Sequence, residues 1–156
     1  MFDKILITPA VRSSMVDHCL QTLPHEACGF LFGAAYGNTI MVKRFAPVPN
    51  VAKEPAVRFE MDPASLIPLA SRRNDNNNEI IVGIIHSHPL APAIPSNEDL
   101  LTAWHQMPSH WILSLLDLEK PDLQAYRYVA DKSAGTRFIP LEWELADNEP
   151  QQKNNP

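Results

Sequence analysis

The alternation of apolar and polar positions along the chain predicts a sheet of short strands. Residues 2–7 predict a first strand, and two apolar runs on either side of Tyr36-Gly37 predict a hairpin. The near-continuous apolar run at residues 80–85 is typical of a strand that is buried on both faces, so we expect it near the middle of the sheet. The other strands are predicted at residues 28–33, 38–42, 57–61, 111–116, 123–129 and 136–139.

Three segments between these strands predict helices. Apolar residues recur every four positions between residues 11 and 23, and Thr8-Pro9 supplies an N-cap and a proline at the first helical position. A second helix is predicted over residues 62–73 and a third over residues 96–105. Because pairs of strands are separated by helices, the predicted fold class is α/β with a mixed sheet.

The composition is that of one folded domain. The chain has 156 residues, of which 45% are hydrophobic and 20% are charged, values that support a single hydrophobic core and exclude a disordered chain. We predict one domain over residues 1–145. Residues 146–156 have almost nothing to bury, so we predict that they form a disordered tail.

Charge and hydropathy exclude several kinds of partner. The net charge is -5, and the 13 lysines and arginines are scattered, so we expect no binding to nucleic acid. The longest apolar runs are far shorter than the ~18 to 20 residues of a membrane span. The N-terminal residues lack the basic segment and the long apolar run of a secretory signal, so we expect a cytoplasmic protein.

The histidines at the end of the predicted central strand have the spacing of metal ligands. His86 and His88 alternate with Ser87, so both side chains point to one side of a strand. Asp99 follows in the first turn of the third predicted helix and can fold back as a third ligand. Two imidazoles, one carboxylate and an open fourth position are typical of catalytic zinc, and the two cysteines of the chain are too few for a cage of thiolates.

A simpler interpretation treats these residues one at a time. Ser96-x-x-Asp99 alone has the pattern of a helix capping box, and one histidine in a strand is more often structural than a ligand. The two roles are compatible, because the cap that Ser96 makes can also aim Asp99 at a metal ion. The joint occurrence of all the parts at this spacing favours the metal site.

Together with a remote glutamate, these residues resemble the motif of the JAMM (MPN+) metalloprotease family. That motif is a glutamate followed by His-x-His, seven residues and Ser-x-x-Asp. Glu26 matches the glutamate, His86, His88 and Asp99 match the zinc ligands, and Ser96 matches the serine. The resemblance covers roughly residues 5–130 and is greatest to the short bacterial branch of the family.

The resemblance implies a fold and a reaction. It implies a curved mixed sheet with helices packed on both sides, an architecture similar to that of cytidine deaminases, and a zinc-dependent hydrolase with one Zn²⁺ per chain. Glu26 would then accept and return a proton, and Ser96 would donate a hydrogen bond to the developing oxyanion. The implied partner is a ubiquitin-like or sulfur-carrier protein with a C-terminal Gly-Gly, cleaved at the peptide or isopeptide bond after it. A homodimer is left open.

Two alternatives belong to other functional classes. The first is a catalytically silent MPN-type module that only binds a protein partner, and the intact motif disfavours it. The second is a zinc hydrolase such as a nucleoside deaminase, which needs a Pro-Cys-x-x-Cys ligand pair. The sequence contains neither Cys-x-x-Cys nor the His-Glu-x-x-His signature of many zinc proteases.

Overall fold

A single mixed sheet organises the part of the chain that the computed structural model describes, which comprises residues 2–65, 79–102, 104–148 and 150. Its eight strands run in the order β7-β6-β5-β4-β2-β3-β1-β8. The bounds of these strands and of the long helix are β1 (Lys4–Ile7), α1 (Pro9–Thr22), β2 (Cys28–Tyr36), β3 (Thr39–Val48), β4 (Ile80–His88), β5 (His110–Ser114), β6 (Asp122–Asp131), β7 (Gly135–Leu141) and β8 (Trp143–Leu145).

Strand β4 lies near the middle of the sheet, as its apolar run predicts. It pairs with β2 in antiparallel and with β5 in parallel orientation, which confirms the mixed sheet. From Val82 to His88 every side chain of this strand is buried. Because the strand is covered on both faces, the two histidines at its end are positioned by rigid neighbours.

Helix α1 begins and ends within one residue of its predicted bounds. The Thr8 hydroxyl oxygen accepts a hydrogen bond from the Val11 amide at 3.2 Å, and Pro9 occupies the first turn. The helix buries Val11, Met15 and Cys19. These three residues lie four positions apart, so they form one apolar face of the helix, and that face packs against the sheet.

The two faces of the sheet carry separate apolar clusters. Along β2, Leu31 belongs to the cluster beneath α1, whereas Phe30 and Phe32 belong to the cluster on the opposite face. This division follows from the alternation of side chains in a strand. The second cluster includes Met61 and packs against Phe59 and Trp104, so the face opposite α1 is the one that reaches the loops around the histidines. The members of this second cluster are Cys28, Phe30, Phe32, Ala46, Val48, Met61 and Ile84.

The C-terminal strands join the two edges of the sheet. Strand β7 pairs with β6 at one edge, and after Glu142 the chain continues as β8, which pairs in parallel with β1 at the other edge. The Trp143 indole N–H donates to the Leu123 carbonyl at 3.1 Å across this junction. The sheet is therefore strongly curled, and β8 is a strand that the apolar pattern does not predict.

The predicted third helix is wrong. Among the described residues of its range, 96–102 and 104–105, only Asp99–Leu101 is helical, as a 3₁₀ turn. The Trp104 amide donates to the Thr102 hydroxyl at 3.1 Å, and the His105 ring contacts the Leu100 carbonyl at 3.1 Å. These side-chain contacts replace the backbone bonds that would continue the helix, which is the competition expected of threonine.

The predicted strand over residues 57–61 is also wrong. In its place the structure has a turn and an isolated bridge between Asn50 and Met61. The second predicted helix starts at Pro63, as expected. The rest of its predicted range, residues 66–73, lies outside the described residues, as does most of the predicted tail. Within the described part of the chain, no helix combines the length and hydropathy that a membrane crossing requires.

Candidate active site

Two buried histidines at the end of β4 form the centre of the candidate site. The side chains of His86 and His88 lie on the same side of the strand, and their Nε2 atoms are 3.1 Å apart. Both residues are almost fully buried, at 3% and 6% exposure. The His-x-His alternation therefore does bring two imidazole nitrogens to one point.

Asp99 reaches this point from the 3₁₀ turn. Its Oδ1 atom lies 3.2 Å from His86 Nε2, and its Oδ2 atom lies 3.1 Å from His88 Nε2. Ser96 fixes the carboxylate through a reciprocal pair of bonds: the Ser96 amide donates to Asp99 Oδ2 at 2.8 Å, and the Asp99 amide donates to the Ser96 hydroxyl at 3.1 Å. The capping-box geometry is thus present although the helix it predicts is not.

Glu26 approaches from the segment just before β2. Its carboxylate is 4% exposed, and Oε1 lies 4.0 Å from His88 Nε2. Among the described residues, nothing hydrogen-bonds its buried Oε2 atom. Ligand atoms of Glu26, His86 and His88 lie within 4.8 Å of one another, a grouping that can hold a metal ion.

The hydrogen bonding of His88 shows why this cluster suits a cation. His88 Nδ1 lies 2.8 Å from the Pro92 carbonyl oxygen. A carbonyl can only accept, so Nδ1 carries the proton and Nε2 of the neutral ring presents a lone pair. That lone pair faces the Asp99 carboxylate and the Nε2 atom of His86. The electron-rich atoms of the three side chains repel one another unless a positive charge lies between them, and a metal ion or a proton supplies that charge.

The spacing of the donor atoms also fits zinc. Zinc binds imidazole nitrogen and carboxylate oxygen at about 2.0–2.2 Å, so ligand atoms at tetrahedral corners are about 3.3 Å apart. The nitrogen–nitrogen and nitrogen–oxygen separations of 3.1 and 3.2 Å among His86, His88 and Asp99 are close to that value. Glu26 Oε1 lies further away, 4.0 Å from His88 Nε2, where its carboxylate can act on a molecule beside the ion.

Burial sets the charge preferences of the site. Burial raises the pKa of Glu26 to about 7, a shift that the nearby His88 reduces. Burial also lowers the pKa of His86, which favours the neutral, metal-binding ring. For Asp99 the effect of burial is outweighed by hydrogen bonds with the two histidines, which hold the pKa of its carboxyl well below the usual range. Asp99 is therefore an anion, and Glu26 is a carboxylate able to exchange a proton near neutral pH.

Ser87, between the two histidines, ties β4 to the segment of Glu26. Its hydroxyl oxygen accepts a hydrogen bond from the Ala27 amide at 2.8 Å, and its own amide donates to the Ala27 carbonyl at 2.9 Å. Ser87 is fully buried and Ala27 is 2% exposed. The serine hydroxyl therefore completes a strand-like connection next to the glutamate.

We expect Ser87→Ala to lower the free energy of unfolding by about 1–3 kcal/mol, because it leaves the buried Ala27 amide without an acceptor. Urea unfolding of the purified protein measures this loss. Ser14→Ala, on the exposed side of α1, is the matched control and should change stability by less than about 0.5 kcal/mol. Equal stability of both variants would show that the hydroxyl has no such role.

Three residues of the site were not among the sequence candidates. Phe59 stacks on the His86 ring at 4.5 Å, Pro92 orients His88, and Asn50 hydrogen-bonds the Glu26 carbonyl at 3.0 Å. The Pro92 loop is anchored beside the site, since the Ser114 hydroxyl donates to the Ala91 carbonyl at 2.6 Å. These contacts are made by loops, which carry no periodic pattern, and of the three residues only Pro92 lies within the span of the His-x-His and Ser-x-x-Asp motif.

An open groove leads to the cluster. It has a volume of about 560 Å³, and Asp99 forms part of its lining. One wall consists of residues 57–61, and the other contains Glu98, Thr102 and Trp104. An ion pair between Arg58 Nη2 and Glu98 Oε1 joins the two walls at 2.9 Å. An extended chain lying in this groove would pass beside Asp99 and beside Phe59, whose ring stacks on His86.

The curled mixed sheet and the Glu-His-His-Asp cluster together define a JAMM-type protein. The sequence profile of the family described as prokaryotic homologs of the JAB domain matches residues 8–129. The chain belongs to this family, which confirms the resemblance seen in its motif.

Similar proteins extend this assignment. A desampylase of Pyrococcus furiosus is 39% identical over 88 residues, which cover 56% of this chain and 58% of that protein. A CysO-cysteine peptidase of Mycobacterium bovis is 27% identical over 125 residues, or 80% of this chain and 83% of that protein. The solution structure of a protein from Desulfitobacterium hafniense matches with a TM-score of 0.78 and 32% identity, covering 92% of this chain and 94% of that one, and it confirms the α/β fold. The match to the Pyrococcus protein spans less than two thirds of its length.

Proposed function

We propose that this chain is a zinc-dependent peptidase that cleaves the peptide or isopeptide bond after the C-terminal Gly-Gly of a ubiquitin-like or sulfur-carrier protein. The observation that carries the proposal is the convergence of two imidazole nitrogens and the Asp99 carboxylate beside an open groove that Asp99 lines. The Glu26 carboxylate lies next to this group, and its Oε2 atom has no hydrogen-bond partner among the described residues. The names of the two similar proteins, a desampylase and a CysO-cysteine peptidase, support the same class of reaction.

In this proposal His86, His88 and Asp99 hold the zinc ion. When bound, the ion polarises the scissile carbonyl and makes water acidic enough to attack near neutral pH. The Pro92 carbonyl keeps the His88 ring turned so that Nε2 faces the site. Phe59 covers one face of the His86 ring. Both contacts restrict the ligands before any substrate arrives, which is how neighbouring groups usually support a metal site.

Glu26 is the proposed proton carrier. Its carboxylate would accept the proton of the attacking water and deliver it to the leaving amine, so the peptide bond breaks with a neutral amine as product. Two features support this role. Oε2 has no other partner among the described residues, and burial raises the pKa of the carboxyl to about 7, which suits transfer in both directions.

Ser96 is proposed to donate a hydrogen bond to the oxygen of the carbonyl under attack. Its hydroxyl oxygen already accepts the Asp99 amide, which leaves the hydroxyl proton free to point outward from an exposed position. A donor at this place stabilises the negative charge that develops as the carbonyl becomes tetrahedral.

We expect Ser96→Ala to lower kcat roughly 10²- to 10³-fold, the usual cost of one oxyanion donor. Zinc content should be unchanged, because the Ser96 amide still holds the Asp99 carboxylate. Ser96→Thr keeps a hydroxyl and should retain much more activity than the alanine variant. Steady-state cleavage with metal analysis decides the matter, and equal losses in both variants would count against a role for the hydroxyl.

The groove suits the tail of the proposed partner. Its two walls are bridged by the Arg58–Glu98 ion pair, which limits the space for side chains between them. Glycine has no side chain, so a Gly-Gly segment can pass where other residues would meet the walls. The homodimer and the cytoplasmic location stay predictions.

The test of this proposal is cleavage by the purified, metal-analysed protein. The substrate is a sulfur-carrier protein extended beyond its Gly-Gly by a short peptide, and the control substrate ends in Ala-Ala before the same extension. We expect one zinc per chain, cleavage after Gly-Gly, loss of cleavage with a chelator and recovery when zinc is returned.

Other outcomes of this experiment would contradict the proposal. Cleavage that survives complete removal of metal would exclude the metal-dependent mechanism. One zinc per chain with no cleavage of any Gly-Gly conjugate would favour the catalytically silent binding module. A protein that binds no zinc would show that the interpretation of the motif as a metal site is wrong.

A further inference from the structure

The loop between β3 and the second helix is folded around one side chain, that of Asn50. Its Nδ2 atom donates to the Glu26 carbonyl at 3.0 Å and to the Arg58 carbonyl at 2.8 Å. Its Oδ1 atom accepts from the amides of Ala52 and Glu60, both at 3.0 Å. One amide group therefore satisfies four backbone groups that belong to three different parts of the chain.

The loop hydrogen-bonds both the amide and the carbonyl group of the Glu26 backbone. The Glu26 amide donates to the Pro55 carbonyl at 2.7 Å, and its carbonyl accepts from Asn50. Glu26 precedes β2, which begins at Cys28, so the sheet ladder itself does not hold this residue. The loop does so instead, and Asn50 is the residue that closes the loop.

The same loop forms one wall of the groove and also carries Phe59, which covers the ring of the proposed metal ligand His86. Phe59 stacks on His86 with an angle of 22° between the ring planes. Arg58, whose carbonyl Asn50 binds, reaches across the groove to Glu98. The position of the proton carrier and the position of this wall are therefore set by one hydrogen-bond centre.

We propose that Asn50 is a positioning residue for the cleavage reaction: it sets the distance between the Glu26 carboxylate and the histidine pair by locking the Glu26 backbone to the loop of residues 51–61. This inference rests on the proposed function. Asparagine is suited to the place because it offers two donors and an acceptor on a short, planar group. Aspartate has the same shape but only acceptors, so it cannot bind the Glu26 and Arg58 carbonyls.

The test is Asn50→Asp, which removes the donors and keeps the acceptor. We expect kcat to fall roughly 10- to 100-fold, the scale of a misplaced catalytic group, with a smaller change in KM and with zinc content unchanged. Asn38→Asp is the matched control. Asn38 lies in the β2–β3 turn, where its amide donates to Asp3 at 3.1 Å, and its replacement should leave kcat unaltered.

A double-mutant cycle separates positioning from a general loss of structure. If Asn50 acts through Glu26, then Asn50→Asp should cause no further loss of kcat in a Glu26→Gln background, because the group it positions no longer works. If the double variant instead loses kcat by the product of the two single losses, Asn50 affects the reaction by another route, and the proposal is overturned.

Hydrogen exchange supplies a measurement that does not need activity. In Asn50→Asp we expect faster exchange at the Glu26 amide, because the loop whose Pro55 carbonyl accepts from it is no longer tied to the Glu26 carbonyl. Exchange in β4 should be unchanged. If the wild-type protein cleaves no conjugate, the proposed function fails, and exchange alone then decides whether Asn50 holds Glu26. Wild-type exchange at the Glu26 amide in the variant, or an unchanged kcat, would refute the inference.

Discussion

Replacing Glu26 with glutamine should reduce kcat roughly 10²- to 10⁴-fold, the range that a positioned proton carrier contributes, while zinc content stays at the wild-type level. Glutamine has almost the shape of glutamate, so the packing before β2 is kept. It cannot take a proton from water or return one to an amine. Because the carboxylate lies 4.0 Å from His88, outside the tight group of His86, His88 and Asp99, the metal ligands are unaffected.

The measurements are zinc content, steady-state cleavage and thermal unfolding of Glu26→Gln beside the wild-type protein. Burial disfavours the charged form of this carboxyl, as the rise in its pKa to about 7 indicates. The neutral variant should therefore unfold at a temperature no lower than the wild type. A variant with full zinc and near-normal kcat would disprove the assignment of Glu26 as the proton carrier.

His88→Ala should abolish cleavage and also abolish stoichiometric zinc binding. The His88 ring is the central member of the cluster, with its Nε2 atom 3.1 Å from both His86 Nε2 and Asp99 Oδ2. Its removal takes away one of three ligands. It also leaves two buried carboxylates, those of Glu26 and Asp99, with less positive charge beside them, a change that typically costs 3–5 kcal/mol of stability.

Because this loss of stability could unfold the protein, His88→Gln serves as a second, less disruptive variant. The control is His25→Ala, which removes an exposed histidine next to Glu26 in sequence. We expect the control to keep zinc and activity. Metal analysis and circular dichroism of all three variants separate loss of the ligand from loss of the fold, and a folded His88→Gln protein with one tightly bound zinc would contradict the proposed ligand set.

The site was largely predictable because its main parts are short-range. The alternation His86-Ser87-His88 in a buried strand fixes the direction of both rings. The Ser96-x-x-Asp99 spacing fixes a reciprocal turn that needs only four residues. These two local patterns are why His86, His88 and Asp99 could be proposed from the residues themselves, whereas the role of Glu26, far away in the chain, was implied only by the family resemblance.

Two wrong predictions, the third helix and the strand over residues 57–61, have a common physical cause, which is hydrogen bonding by side chains. Thr102 and His105 take the backbone partners that would extend a helix beyond Leu101. Asn50 takes the amide of Glu60, within the segment predicted as a strand. Apolar periodicity does not report which backbone group a polar side chain will bind, so neither competition was visible in the sequence.

The joining of the sheet edges through β7 and β8 has a consequence for the order of folding. The pairing of Ile5 with Trp143 brings together residues from nearly opposite ends of the chain. Such a contact is formed late, because a long loop must close before it is gained. During synthesis on the ribosome β1 therefore keeps one unpaired edge until β8 has emerged, and until then that edge is open to pairing with another molecule.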